Sequence, residues 1–164
     1  MPGRPLPNPR TTDRAHINYP VRIGCLALVP DSEGAGRHRG GLGLRKDYVF
    51  DRPTTYTILA DRDRFGPWGA FGGHDARVAE YVHVRNGVET RLGSKVTVEL
   101  EAGDVISVRT CGGGGYGPPE ERAPSAVARD VAEGKVSLGR ARDVYRVALI
   151  DGAVDEAATA ELRT

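Results

Sequence analysis

The residues best suited to chemistry in this chain are four histidines, two cysteines and two glycine-rich runs. His16, His38, His74 and His83 have the right chemistry for bases or metal ligands. None stands at the short spacing from a second histidine or a cysteine that presents a ligand pair to one ion. Cys25 and Cys111 are too few for a thiolate zinc site, and a reducing compartment requires no disulfide of them. No metal ligand is therefore assigned. His74 precedes Asp75, an order in which a carboxylate can orient an imidazole as a base; the alternative is a plain surface loop. Gly112-Gly113-Gly114-Gly115 is the most conspicuous local feature. Such amides can converge on an anion, or the run can mark a crossing too tight for any Cβ. It is not a Walker loop, since no Gly-Lys-Ser/Thr follows. Arg39-Gly40-Gly41 has the same two readings, a guanidinium clamp for carboxylate or phosphate, or a bend before a strand. Cys111 would be a nucleophile only if the glycine amides stabilised its thiolate. The candidate substrate- or anion-binding residues are Arg39, Gly40, Gly41, Gly112, Gly113, Gly114, Gly115 and Tyr116, and no catalytic residue is assigned. If the run lines a site, Gly114→Val is expected to lower turnover without unfolding the domain.

Strands must carry most of these residues. Val21 to Val29 is an apolar run ended by Pro30-Asp31-Ser32, and Leu42 to Phe50 and Thr54 to Ala60 have the period-two or β-branched character of pleated surfaces. Asp61 to Gly73 holds Trp68 among glycines and arginines and is a candidate rim of a site. Two hairpins are predicted next. In the first, Tyr81 to Leu92, a three-residue loop Arg85-Asn86-Gly87 pairs Val84 with Val88 and sets Val82, Val84, Val88, Thr90 and Leu92 on one face. The second joins Val96–Leu100 to Val105–Val108 through Glu101 to Asp104. Helices follow: one opened by Pro124 and closed by Gly134, one capped by Ser137, and a terminal one capped by Asp155. The fold class is α+β, mainly β, an antiparallel hairpin-rich sheet domain followed by two or three short C-terminal helices. An extended arm is expected over 1–18, a β-rich domain over 19–118 and a helical segment packed on it over 119–164.

Composition narrows the function classes. The 164 residues, 39% of them hydrophobic, suit one domain, and 22 glycines with 11 prolines call for many turns. Twenty-three basic against 22 acidic residues leave a net charge of +1, too little to hold a nucleic-acid backbone at physiological salt. No run approaches a membrane span and no secretory signal precedes the first strand, so a cytoplasmic protein is expected.

Taken in order, Pro20-Val21-Arg22, Leu28-Val29-Pro30-Asp31-Ser32, Gly34-Ala35-Gly36 and Arg39-Gly40-Gly41-Leu42-Gly43-Leu44 form one half of a pattern. Asp61-Arg62, Pro67-Trp68-Gly69, Gly72-Gly73, Gly103-Asp104-Val105, Thr110, the glycine run with Tyr116-Gly117, Asp130-Val131 and Asp155 to Thr159 form the other. From Tyr19 onward the chain resembles the C-terminal portion of the hydantoinase B family, with its relatives in 5-oxoprolinase and in acetone and acetophenone carboxylases. The resemblance implies a subunit or split piece of an ATP-dependent hydrolase that opens cyclic amides. The alternatives are a subunit of a related ketone carboxylase or a non-catalytic binding module. It implies two partners, a hydantoinase A-type ATP-binding subunit and the remaining N-terminal part of a B-type subunit. ATP and a divalent metal belong to that full complex rather than to this chain alone. One segment and three single positions depart from the family pattern: Thr11 to Asn18 stand for an Asn-Thr-Pro-type segment before Pro20, Cys111 for a proline, Pro118 for an aspartate, and Arg146 for a glycine.

Overall fold

Segments in which polar and apolar residues alternate, between residues 21 and 109, form strands. The computed structural model describes residues 19–164; the arm expected over 1–18, with His16, lies outside them. In order come β1 (Val21–Leu28), β2 (Leu44–Phe50), β3 (Thr54–Leu59), β4 (Glu80–Arg85), β5 (Val88–Leu92), β6 (Lys95–Leu100) and β7 (Val105–Arg109). A 3-10 turn (Pro119–Glu121) leads to α1 (Pro124–Ala132) and α2 (Leu138–Asp143). The hairpin of β8 (Leu149–Ile150) and β9 (Ala153–Val154) precedes α3 (Glu156–Arg163). The expected class, mainly β with short C-terminal helices, is the one observed.

Contacts divide the described residues into two compact units interleaved along the sequence. The first holds residues up to Leu28, Leu44–Phe65 and Ala79–Thr110; the second holds Val29–Gly43, Gly66–Val78 and Cys111–Thr164.

The first unit contains a five-stranded antiparallel sheet, order β1-β2-β7-β4-β5, and the two-stranded sheet β3-β6. Phe50, Leu100 and Ile106 are buried between them with Tyr48, Tyr56 and Val98 packed around. Register slips between Ile23 and Cys25, where Gly24 bulges.

Two sequence expectations are corrected here. The first hairpin closes through a two-residue loop, pairing Arg85 with Val88 and Val84 with Glu89. Asn86 and Gly87 adopt φ of 53° and 79°, the doubly left-handed turn whose twist matches that of the strands. The predicted apolar face had no hold on register because β5 is an edge strand, with Val88 66% exposed. The second hairpin does not form. Its two strands exist, but β6 pairs with β3 while β7 lies between β2 and β4. The connection steps between sheets, which buries Leu100 and Ile106 against Phe50 instead of against each other across a turn.

The second unit packs Val127, Val136, Ala141, Tyr145, Val147 and Ala35 into a separate core. Its helices begin as their sequences dictate. Pro124 takes the first turn of α1, the Ser137 side chain accepts the Arg140 N–H at α2, and the Asp155 carboxylate accepts the Ala158 N–H at α3. Gly134 follows α1 at φ 69°, as a helix-ending glycine does. Among the described residues no helix is long and apolar enough to cross a membrane.

Candidate functional site

All eight predicted site residues lie in the second unit, and the glycine run is its axis. Residues 112–116 run between two other backbone segments, and Gly117 turns the chain at φ 72°. On one side Gly34 N–H donates to Gly113 O (2.8 Å), Gly113 N–H to Gly41 O (2.9 Å), and Tyr116 and His38 exchange bonds of 2.9 and 3.0 Å. On the other, Gly115 N–H donates to His74 O (3.0 Å), Ala70 N–H to Gly115 O (2.9 Å) and Gly117 N–H to Ala70 O (2.9 Å). The amides of Gly113, Gly115, Tyr116 and Gly117 are therefore engaged by carbonyls, not free to converge on an anion.

The approach is closer than any side chain permits. An ideal Cβ on Gly112 would stand 2.1 Å from Ser32 O, on Gly114 1.9 Å from Trp68 O, on Gly115 1.9 Å from Ala35 O, and on Gly40 1.9 Å from Gly113 O. Gly41 alone of the predicted set meets nothing within 4 Å, while Gly113 has Gly41 N at 3.2 Å. A Gly114→Val variant thus cannot leave the fold intact, which corrects the expectation drawn from the sequence.

Arg39 is held by the protein's own carboxylate. Its Nε stands 3.0 Å from Asp130 Oδ2, as an ion pair whose N–H is not aimed at the oxygen, and its Nη1 donates to Gly40 O (3.0 Å). Arg122 Nη2 donates to the same Asp130 oxygen at 2.8 Å, so one buried carboxylate is flanked by two guanidinium groups. Nearby in the same unit, buried Glu33 accepts from Arg140 Nε (2.8 Å) and Tyr145 Oη (3.1 Å), and its Oε2 is buried without a partner. Burial first, and the Glu33 charge second, push the Tyr145 hydroxyl well above its ordinary value. Sequence reasoning missed Glu33 and Asp130, because a carboxylate in a loop or on a short helix reads as solvated until its arginine is found elsewhere in the chain.

Tyr116 bridges the crossing by backbone and presents its ring outward, 44% exposed. The Phe71 ring lies 5.1 Å from it and the His38 ring 6.2 Å. His74 and Asp75 do not form a base and its orienter. Asp75 Oδ1 instead accepts the Gly69 N–H at 2.8 Å, and both side chains are exposed. Cys111 is a half-buried free thiol. The candidate rim loop divides: Asp61, Arg64 and Phe65, with Lys95, line an open charged cavity of about 560 Å³ in the first unit, while Trp68 to Gly73 belong to the crossing in the second.

In the first unit, Asp104 is the most densely bonded carboxylate. Arg85 donates to it through Nε and Nη2 (3.0 and 2.6 Å), the Glu101 N–H at 2.9 Å, and His83 Nε2 lies 3.0 Å away. The Arg85 guanidinium above all, aided by that N–H and by His83 against the opposing effect of burial, holds its carboxyl far below the usual carboxylate range.

Residues 13–119 match the family described as hydantoinase B/oxoprolinase. The chain belongs to that family. A relative in Methanocaldococcus jannaschii, the uncharacterized protein MJ0963, is 38% identical over 149 residues, 88% of this chain and 26% of its own length. Caprolactamase subunit beta of Pseudomonas jessenii is 32% identical over 149 residues, 87% of this chain and 26% of its own. The crystal structure of the ATP-dependent caprolactamase from the same organism superposes with a TM-score of 0.80 at 26% identity, covering 93% of this chain and 28% of that one. This member of the hydantoinase B/oxoprolinase family thus spans about a quarter of the length of those relatives. Arg146, where the resemblance leads one to expect glycine, adopts φ 55°, a conformation natural to glycine and strained for a residue with a Cβ.

Proposed function

We propose that this chain is the C-terminal part of a B-type subunit in an ATP-dependent hydantoinase/oxoprolinase-type hydrolase, one that opens a cyclic amide by adding water across its C–N bond. The observation that carries this reading is the match along 87% of the chain to only a quarter of caprolactamase subunit beta. In the proposed enzyme the rest of the B-type polypeptide and an A-type ATP-binding subunit supply the reacting groups. Among the described residues no cluster of three His, Cys, Asp or Glu side chains could hold a metal ion, and the engaged amides of the crossing do not fit a phosphate. In this reading ATP and the divalent metal belong to those other polypeptides, and the described residues of this chain are assigned neither. Its part is to shape and wall the site: Gly40, Gly41 and Gly112 to Gly115 set the backbone crossing, Arg39 with Asp130 fixes its flank, and Tyr116 presents a ring.

The test is co-expression of the chain with the A- and B-type polypeptides of its host, followed by native mass spectrometry and a lactam-opening assay with caprolactam, 5-oxoproline and hydantoin. A stable complex that opens one of these rings only with ATP, while the chain alone opens none, is the expected result. Ring opening by the chain alone, or its failure to join the complex, would overturn the proposal.

A further inference from the structure

Phe71 occupies a conformation that neither its backbone nor its side chain favours. It stands at φ 51° with Gly72 at φ 89°, and Gly73 N–H donates to Ala70 O at 3.0 Å. The three values define a two-residue turn with both corners left-handed. Asn, Asp and Gly suit such corners; a bulky aromatic is an outlier there. The ring is also 79% exposed, so burial does not offset the strain. Backbone strain at so exposed a residue points to a role beyond stability.

The turn is not loose. Its flanks are pinned by the crossing through Ala70 to Gly115 and Gly117, and His74 N–H donates to Ala35 O at 2.7 Å. Phe71 is thereby held against Tyr116. Trp68, three residues earlier and 75% exposed, leaves the same run with its carbonyl against Gly114. With aromatic side chains taken at 150–250 Å² each, these three exposures amount to about 400 Å² of apolar surface. Phe71 and Tyr116 share a ring contact, and Trp68 is anchored to the same glycine run through its backbone carbonyl; exposed apolar surface of this size is commonly functional.

We infer that Trp68, Phe71 and Tyr116 form the surface on which the remaining three quarters of a B-type polypeptide docks. The inference rests on the function proposed above. The occupant follows from length: relatives matched along nearly all of this chain carry it as 26% of their own sequence, so a much larger body of polypeptide accompanies the fold there. A second copy of the chain would have no such requirement. Rigid, pre-positioned aromatics are also the residues that dominate the dry centre of protein interfaces, where little conformational freedom remains to be lost on binding.

Trp68 is the chain's single tryptophan, which provides a direct probe. The full chain carrying 5-fluorotryptophan is titrated with the A- and B-type polypeptides of the host, and its one ¹⁹F resonance is followed. A shift on complex formation, with loss of its H₂O/D₂O solvent effect, is expected. Phe71→Asn suits the left-handed corner, so it is expected to keep or raise the melting temperature while weakening the complex by at least about 30-fold. Leu59→Ser, at an 81% exposed apolar position in the first unit, should leave affinity within about twofold. A wild-type complex whose affinity survives both Phe71→Asn and Trp68→Ser would overturn the docking surface and leave the proposed function standing. Absence of any wild-type complex would remove both. Self-association of the chain abolished by Phe71→Asn would overturn the inference in favour of a second copy.

Discussion

A methyl group added at Gly114 would stand 1.9 Å from the Trp68 carbonyl oxygen, and backbone cannot yield as the end of a flexible side chain can. Gly114→Ala is accordingly expected to lower unfolding free energy by about 3 kcal/mol in urea titration. Gly41→Ala meets nothing within 4 Å and should raise it by about 0.5 kcal/mol through the smaller freedom of its unfolded chain. Equal losses at the two positions would refute the crossing geometry. Arg146 poses the converse case. A left-handed φ disfavours an L-residue by roughly 1–2 kcal/mol, and glycine gives back about 0.5–1 kcal/mol as unfolded-state entropy. Arg146→Gly should therefore stabilise by about 0.5 kcal/mol, seen as a higher melting temperature.

The passage from β6 to β7 shows how one side chain can decide where a strand goes. Asp104 takes bonds from Arg85 on β4 and from the Glu101 N–H, while its own carbonyl accepts the Phe50 N–H of β2 at 3.0 Å. Strand β7 is thus tied between β2 and β4 at the residue just before its start. The folded carboxyl titrates below the unfolded one, so its stabilisation is complete above about pH 4 and is lost as pH falls toward the folded value. Melting temperatures of the wild-type chain should drop steeply below about pH 4. Asp104→Asn should melt lower at neutral pH and show a flatter acid limb; parallel acid limbs would contradict the assignment.

Across the whole described chain, two cores are served by segments that alternate along the sequence, so distant ion pairs act as ties within a unit. The Arg140 to Glu33 pair joins α2 to the loop after β1, and removing one partner strands a buried charge. Arg140→Met is expected to cost about 3 kcal/mol, whereas adding Glu33→Leu and Tyr145→Phe to it should recover most of that loss, because the apolar set leaves neither a buried charge nor the Tyr145 hydroxyl without its Glu33 acceptor. Denaturant titration of the two variants checks both figures. A triple variant as unstable as the single one would mean that the charges matter for more than each other's company.

What could be known from the residues in order was local. Strand and helix segments, the Ser137 and Asp155 caps and the Gly134 stop rest on alternation, i to i+4 spacing and capping chemistry, all of which act within a few residues, while the family resemblance rests on motifs matched one by one along the chain. Partner choice was not local. Whether β6 would face β7 or β3, whether Asn86-Gly87 or a longer loop would close the first hairpin, which carboxylate would neutralise Arg39, and whether the glycine amides would meet an anion or a carbonyl depended on segments brought together from far along the chain. The register of β4 and β5 was open to misreading because an exposed edge strand has no buried face to enforce it. Phe71 could be seen in the sequence as one more loop aromatic; its left-handed, exposed and pinned state arises only where three backbones cross with no side chain between them.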